Sequence, residues 1–373
     1  MSEAGPGSVS KGPSRIAVDA MGGDKAPREI VLGALQAAAE YPVVIHLVGR
    51  EAEVRREIAA AGESLPSNIE IVDAAEVVEM NDHPLTPIRK KKNSSVRVAA
   101  DLVGDGKADV FVSAGNTGAA WTSARKVLGM IEGVDRPALA AVLPHVDGHT
   151  VLLDVGANVD SKPHHLREFA VMGHYYAQML FGLRSPRIGL LSIGEEEGKG
   201  NEVTRQSFRV MKDTGLNFVG NVEGRDVFNG NADVVVCDGF IGNVVLKASE
   251  AVAEMISKRL RSELKANPLR AFGALLSKGA FDALKRSTDY KEYGGAPLLG
   301  IRGGCVVCHG RSDAFAIKNA IRVAGDFAES RINDKIREKA LELHQKERAQ
   351  GLQAGNGDET EVAAPQQSLP LHE

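Results

Sequence analysis

The sequence is poor in cysteine and in aromatic residues and has no long apolar run, and each shortage excludes a class of protein. Its 373 residues include three cysteines, too few for a disulfide framework, so we expect a reducing compartment. Aromatic residues make up only 5%, which argues against a β-sandwich or a base-stacking platform. Neither a signal-peptide core nor a run of membrane-spanning length occurs, so we expect a cytoplasmic protein.

The sequence also lacks a positive charge excess and any recognisable cofactor motif. Lys and Arg total 45 against 49 Asp and Glu, whereas proteins that wrap a duplex usually carry excess positive charge. Cys305 and Cys308 have CxxC spacing, but no second pair exists, and residues three apart on an apolar strand point to opposite faces. We therefore predict no nucleic-acid partner, no metal and no cofactor.

Alternating patterns predict one α/β domain over residues 15–347. The polar segments 1–14 and 348–373 are predicted to be flexible tails. Short apolar runs predict strands at Ile16–Val18, Val43–Val48, Ile69–Val72, Val110–Val112, Val151–Leu153, Ile188–Leu191 and Val234–Val236. Helical patterns cover Pro27–Glu40, Glu51–Ala61, Val96–Val103, Ala119–Met130, His164–Leu180, Val203–Lys212 and Ile241–Lys265. Such alternation predicts a mostly parallel sheet with helices on both faces.

Glycine-rich and polar loops follow several predicted strands. Glycines between a strand and a helix let backbone N–H groups approach an anion at the helix N-terminus. Because ligands in parallel sheets bind at the carboxyl ends of strands, we predict one shared anion site built from these loops. Its predicted binding residues are Gly22, Gly23, Asp24, Lys91, Ser94, Ser95, Thr117 and Asn243. Each loop taken singly has a plain alternative, a tight structural turn.

Four side chains in these loops are candidates for catalysis. Lys199 lies between two glycines, which gives its ammonium room to project into a cleft. Asn116 and Asn158 supply amide donors after strands, and His309 follows the apolar run that ends at Cys308. The alternatives are a surface charge cluster for the lysine and a structural role for the histidine.

The order of the motifs resembles one known family. The resemblance is carried by IAVDAMGGD, RKKKNSS, SAGNTGA, LDVGAN, LLSIGEEEGKGNE, NADVVVCDGFIGNVVLK, YGGAPLLG and CHGRSDAFAIKNAI, from about Ile16 to Ile321. Together they resemble the phosphate acyltransferases of bacterial phospholipid synthesis, the PlsX family. The resemblance implies a fold related to phosphotransacetylases and isopropylmalate-dehydrogenase-like enzymes, and a homodimer. It also implies acyl transfer from acyl carrier protein to inorganic phosphate, with the acyl phosphate passing to a membrane glycerol-3-phosphate acyltransferase.

The residues favour direct attack by phosphate over an acyl-enzyme. No GxSxG nucleophile elbow occurs, and Cys237 ends an apolar run that predicts burial. Three alternatives stay open: a phosphotransacetylase acting on short acyl-coenzyme A, a dehydrogenase of the related fold, and a non-catalytic membrane-docking scaffold. The lack of a GxGxxG motif followed by an acidic residue argues against the dehydrogenase.

Residues 267–286 predict a protruding amphipathic hairpin. Asn267 and Pro268 are typical of a helix start. Across Ser257–Lys291, nine cations face three anions in an otherwise acidic protein. A basic, amphipathic hairpin predicts peripheral contact with a membrane surface. The predicted membrane contacts are Leu269, Phe272, Leu275, Leu276 and Phe281, with Leu284 on the same stripe. Carrier-protein contact, a dimer interface and packing on the core are the alternatives.

Overall fold

A computed structural model of the chain describes residues 12–281 and 294–349. Most of the two predicted tails, and the end of the predicted hairpin with Leu284, lie outside the described residues. The first half contains β1 (Ser14–Asp19), α1 (Arg28–Glu40), β2 (Val43–Gly49), α2 (Glu51–Ala60), β3 (Ile69–Asp73), α3 (Thr86–Arg89), α4 (Ser95–Gly104), β4 (Val110–Ser113), α5 (Thr117–Ser123) and a π-helical turn at Ala124–Leu128.

The second half continues the alternation and ends in two helices. It contains β5 (Ala138–His145), β6 (Gly148–Leu153), α6 (Pro163–Phe181), β7 (Ile188–Leu191), α7 (Glu202–Lys212), β8 (Phe218–Val222), a 3₁₀ turn at Gly224–Val227, β9 (Val234–Val236), α8 (Gly239–Leu264), α9 (Pro268–Leu276), β10 (Ala296–Leu299), β11 (Gly304–Val307), α10 (Ala314–Ser330) and α11 (Ile332–Ala349). All seven predicted strands and all seven predicted helices are confirmed, with ends shifted by a few residues.

One sheet of eleven strands runs through the molecule in the order β3-β2-β1-β4-β11-β10-β5-β6-β9-β7-β8. Strands β1 to β4 and β11 are parallel to one another. The antiparallel pairs β11–β10, β10–β5 and β5–β6 then reverse the direction three times. Strands β6, β9, β7 and β8 are again mutually parallel, but they run opposite to the first group. The carboxyl ends of the two groups therefore lie at opposite edges of the sheet.

Two apolar layers cover the two faces of the sheet, as expected for buried strands. Along β1, Ile16 and Val18 pack into one layer and Ala17 into the other. The first layer receives α1, α2, α6, α7, α10 and α11, and the second receives α4, α5 and α8. Gly33 lets α1 and α10 cross closely, because an added Cβ would lie 2.6 Å from the Cβ of Ile317.

None of the helices in the described part of the chain is long and apolar enough to cross a bilayer. Helix α8 nevertheless leaves the core after its first turn: of its 26 residues, only Gly239 and Gly242 are buried. Helix α9, which starts the predicted hairpin, has no buried residue.

Candidate active site

The polar strand-end loops form two separate clusters. Cluster A comprises residues 19–24, 113–117 and 308–313, after β1, β4 and β11. Cluster B comprises residues 154–162, 192–201 and 237–243, after β6, β7 and β9. Four strand spacings separate β4 from β6, about 19 Å across the sheet, and the clusters lie at opposite edges. The predicted single site shared by all loops is therefore not formed within one chain, because β10 and β5 reverse the strand direction.

Cluster A is built around a buried carboxylate, Asp19. Its Oδ2 accepts a 2.7 Å hydrogen bond from the Oγ of Ser113 at the end of the neighbouring strand. Burial raises the pKa of the Asp19 carboxyl, and hydrogen bonds from Ser95 and Ser113 oppose that shift. Gly22 packs so closely that an added Cβ would meet Asp19 and lie 2.8 Å from the backbone nitrogen of Gly115. The glycines predicted here are thus required for the loops to meet.

Asn116 and Lys91 fasten a lobe, residues 76–94, onto cluster A. The Oδ1 of Asn116 caps α5, and its amide donates to the carbonyl oxygens of Met80 and Asp82, each at 2.9 Å. The ammonium of Lys91 donates to the Asp82 carboxylate and to the carbonyl of Val77, both at 2.7 Å. Both amide hydrogens of Asn116 are therefore used within the protein. Asn116 therefore positions the lobe, its predicted catalytic role stays a prediction, and the Lys91 ammonium is likewise engaged by the lobe.

The serines predicted to bind phosphate are also engaged inside the protein. Both Ser94 and Ser95 are buried. The hydroxyl of Ser94 donates to the carbonyl of Lys91 at 2.7 Å, and Ser95 bonds Asp19. Their placement supports the lobe and the buried carboxylate, and it does not bring their hydroxyls to the surface of the cluster.

Three predicted residues of cluster A do reach solvent: Asp24, Thr117 and His309 are exposed. The backbone N–H of Asp24 donates to the carbonyl of Gly310 at 2.8 Å, which joins the first and last loops. The Nδ1 of His309 accepts the N–H of Arg311 at 3.1 Å. In the neutral ring the proton therefore resides on Nε2.

Cluster B is also organised by a buried carboxylate, Asp154. It accepts the backbone N–H groups of Leu139, Gly156, Ala157 and Asn158, and the side-chain amide of Asn158, at 2.8–3.2 Å. Burial raises the pKa of Asp154 and these donors oppose the shift. Asp154 and Asp19 were not among the candidate site residues predicted from the sequence. The pattern that could have indicated them is an aspartate directly after an apolar strand, with a glycine two or three residues later.

Asn158 holds the loop of cluster B in place. Its amide donates to Asp154 Oδ2 at 2.8 Å and to the carbonyl of Pro137 at 2.6 Å. As with Asn116, both amide hydrogens are used within the protein, so Asn158 positions this loop, and its predicted catalytic role stays a prediction. Asn243 is exposed on α8, with its Cβ beside Gly156.

Lys199 is one of two exposed cations of cluster B, with Lys162. Two of its acidic neighbours are paired elsewhere: Glu197 with Lys212 at 2.7 Å and Glu195 with Arg225 at 3.3 Å. Among the described residues, no carboxylate forms an ion pair with the Lys199 ammonium. An exposed, unpaired ammonium on a glycine-flanked loop is suited to an anionic ligand.

The cysteines are placed as the sequence predicted. Cys237 is buried against the carbonyl of Asp154, and burial raises the pKa of its thiol far above the usual range. A thiolate nucleophile is therefore disfavoured at this position. Cys305 and Cys308 are both buried and pack into opposite apolar layers, which confirms that they do not chelate together.

Asp135, His164 and His165 come close enough to hold a metal ion, but their hydrogen bonding does not suit one. The Nδ1 of His165 accepts the N–H of Lys162 at 2.9 Å, so the ring proton lies on Nε2. That Nε2 is 2.7 Å from the Asp135 carboxylate, to which it donates. A metal ion would need the lone pair of Nε2, but that nitrogen carries the ring proton. The three side chains therefore fit a structural role, in which they join the 131–137 loop to α6.

Comparison with known proteins identifies the family. A family model described as "Fatty acid synthesis protein" matches residues 14–335. The chain belongs to this fatty acid synthesis family. Within 323 aligned residues it is 54% identical to a phosphate acyltransferase of Pelotomaculum thermopropionicum, covering 87% of this chain and 94% of the relative. Over 328 residues it is 51% identical to a phosphate acyltransferase of Geotalea uraniireducens, covering 88% and 94%.

The fold of this fatty acid synthesis family member is shared with a solved phosphotransacetylase from Streptococcus pyogenes. The TM-score is 0.61 over 85% of this chain and 94% of the other, at 16% identity. At that identity the match shows the fold alone. It confirms the predicted relation to phosphotransacetylase-like folds.

Proposed function

We propose that this chain transfers a fatty acyl group from an acyl-carrier-protein thioester to inorganic phosphate. The observation that carries the proposal is the ammonium of Lys199, which is exposed and forms no ion pair with any described carboxylate, beside a thiol, Cys237, whose pKa is raised by burial. An exposed cation beside a thiol of raised pKa suits a reaction whose nucleophile is itself an anion. The phosphate acyltransferase name of relatives near 50% identity supports the same chemistry.

The transfer is a direct displacement. A phosphate oxygen of HPO₄²⁻ attacks the thioester carbonyl carbon and gives a tetrahedral oxyanion. The C–S bond then breaks, and the proton of the phosphate ends on the departing thiolate, so acyl phosphate and free thiol are formed. Lys199 stabilises the oxyanion, a contribution of about 3 kcal/mol for one well-placed donor. His309 is the candidate for moving the proton, since its Nε2 carries hydrogen in the neutral ring.

The activity is tested by phosphate-dependent cleavage of a long-chain acyl-carrier-protein thioester, with acyl phosphate trapped by hydroxylamine. We expect hydroxamate to form only when phosphate, enzyme and thioester are all present. Hydroxamate from acetyl-coenzyme A but not from the carrier thioester would favour the phosphotransacetylase alternative. Turnover by a variant lacking the hairpin would exclude a purely scaffolding role.

We further propose a homodimer in which cluster A of one copy meets cluster B of the other. An apolar stripe on α8 supports this, since its large side chains are 38–62% exposed: Phe240, Ile241, Val244, Val252, Met255, Ile256 and Leu260. Covering this stripe with a second copy would remove it from water. The separation of His309 from Lys199 within one chain supports sharing between copies.

Mixing two inactive variants tests the shared site. Lys199→Ala and His309→Ala should each lose most activity. Random pairing makes half of the dimers mixed, each with one intact site of two, so about a quarter of wild-type activity should return. No recovery on mixing, despite proven subunit exchange, would place each site within one chain.

We also propose that α9 rests on an anionic membrane surface. Leu269, Phe272, Leu275 and Leu276 are 59–81% exposed, and Phe281 follows in the next turn. Each cation near an anionic leaflet adds about 1 kcal/mol, so binding should be reversible and salt-sensitive. An acyl phosphate released there would reach a membrane glycerol-3-phosphate acyltransferase with little exposure to water.

A further inference from the structure

The lobe that covers cluster A presents cations to solvent. Of its four successive cations, only Lys91 turns inward, to Asp82 and Val77. Arg89, Lys90 and Lys92 are exposed, and within the described ranges none forms an ion pair with a carboxylate. We call these three residues the basic rim.

The carboxylates of the lobe do not neutralise the basic rim. Glu76 accepts the backbone N–H of Asn93 at 2.9 Å. Asp82 accepts the N–H of Glu79 at 2.9 Å and the ammonium of Lys91. Two of the lobe's three carboxylates are therefore tied to the lobe itself, which leaves a positive outer surface.

The lobe that carries the basic rim packs against the loops of cluster A. Asn116 ties the lobe to the start of α5, and Pro84 packs 2.8 Å from the position of an added Cβ at Gly118. On the other side, the Cε of Met80 lies 2.9 Å from the position of a Cβ at Gly310, next to His309. A partner seated on this lobe would therefore stand beside the loops of cluster A.

We propose that the basic rim docks the acidic surface of the acyl carrier protein. The proposal rests on the proposed function, which requires a carrier to arrive loaded and to leave after each turnover. Exposed complementary charges suit such a transient partner, because they raise the encounter rate and fix the orientation without a large apolar interface. The rim's position lets a docked carrier present its thioester to cluster A.

The test reverses two charges and compares two acyl donors. Lys90→Glu combined with Lys92→Glu is assayed with the same long acyl group on the carrier protein and on N-acetylcysteamine, a small donor without phosphate. We expect the KM for the carrier donor to rise about tenfold and to lose most of its salt dependence. The kcat, the KM for phosphate and the rate with the small donor should not change. Lys335→Glu with Arg337→Glu, two exposed cations on α11, is the matched control.

Several outcomes would overturn the docking surface. An unchanged carrier KM would do so, and so would an equal loss with both donors or a raised KM for phosphate, since these would place the rim in the chemistry. Carrier binding is also measured directly by fluorescence anisotropy, without turnover. If the wild type binds the carrier in a rim-dependent manner but yields no acyl phosphate, the proposed reaction fails and the docking surface stands.

Discussion

The carboxylate of Asp154 accepts five hydrogen bonds, so we expect Asp154→Asn to destabilise the protein. Asparagine keeps one acceptor oxygen, and its NH₂ must replace the other. The less costly orientation places the NH₂ against the backbone N–H and side-chain amide of Asn158, and it keeps the three bonds of Oδ1. Two bonds to a charged acceptor are lost, at about 1.5–3 kcal/mol each.

One effect opposes that loss. Burial has raised the pKa of Asp154, so the ionised side chain carries a desolvation cost that a neutral amide avoids. We therefore expect a net destabilisation of about 2–4 kcal/mol, smaller than the two bonds alone would give. In a domain of this size it should lower Tm by about 3–6 °C.

Thermal unfolding followed by circular dichroism measures the effect. Asp160→Asn is the matched control, because Asp160 lies in the same loop, loses the same charge and is exposed. Hydrogen exchange of the Asn158 N–H should also accelerate in Asp154→Asn, since this N–H loses its acceptor Oδ2. If both variants melt together with the wild type, the carboxylate does not hold this loop and the reasoning fails.

Three further predictions address the core, the chemistry and the surface. Burial raises the pKa of Glu168 from 4.5 to about 7. Its contribution to folding stability is therefore fully present below pH 4.5 and is lost as the pH rises through 7. Between pH 5 and 8 the wild type should lose up to about 3 kcal/mol relative to Glu168→Gln, as read from Tm against pH. Cys237→Ala should lower Tm yet keep turnover, and a trapped acyl-cysteine would contradict direct displacement. Leu275→Glu with Leu276→Glu should stop flotation with anionic vesicles while Val146→Glu, at another exposed apolar site, should not; dissociation into monomers would assign the stripe to the dimer.

The sequence predicts most of the fold because buried strands leave a strong apolar signal. Of the four strands beyond the seven predicted ones, β11 coincides with the apolar run that ends at Cys308, and the other three escape detection for local reasons. β5 contains Pro144, β8 contains Gly220 and Asn221, and β10 starts with Ala-Pro. Such residues weaken the strand pattern, and only tertiary pairing stabilises these segments as strands.

Strand direction is the part of the site that the sequence could not supply. A loop rich in glycine and asparagine reads the same at either edge of a sheet, so Asn116 and Asn158 look equivalent along the chain. Whether their loops meet depends on the antiparallel pairing of β10 with β5, a contact between segments more than 150 residues apart. The hydrogen bonds of the two side-chain amides also depend on tertiary structure, because they go to the carbonyl oxygens of Met80 and Pro137 on other loops.

Helix α8 is the element that relates the two clusters. Its first turn packs on Asp154, where an added Cβ on Gly242 would collide with the carbonyl oxygen. Further along, the pKa of Glu254 is lowered by its hydrogen bond to Lys258 and also by the charge of Arg311 in cluster A. At 1.5 Å per residue the helix is about 39 Å long, enough to run from cluster B past cluster A. Because α9 follows directly, we expect α9 on the side of the molecule that holds cluster A. A carrier docked on the rim and a membrane bound by α9 would then face the same loops, so the acyl group could enter and the acyl phosphate leave on one side.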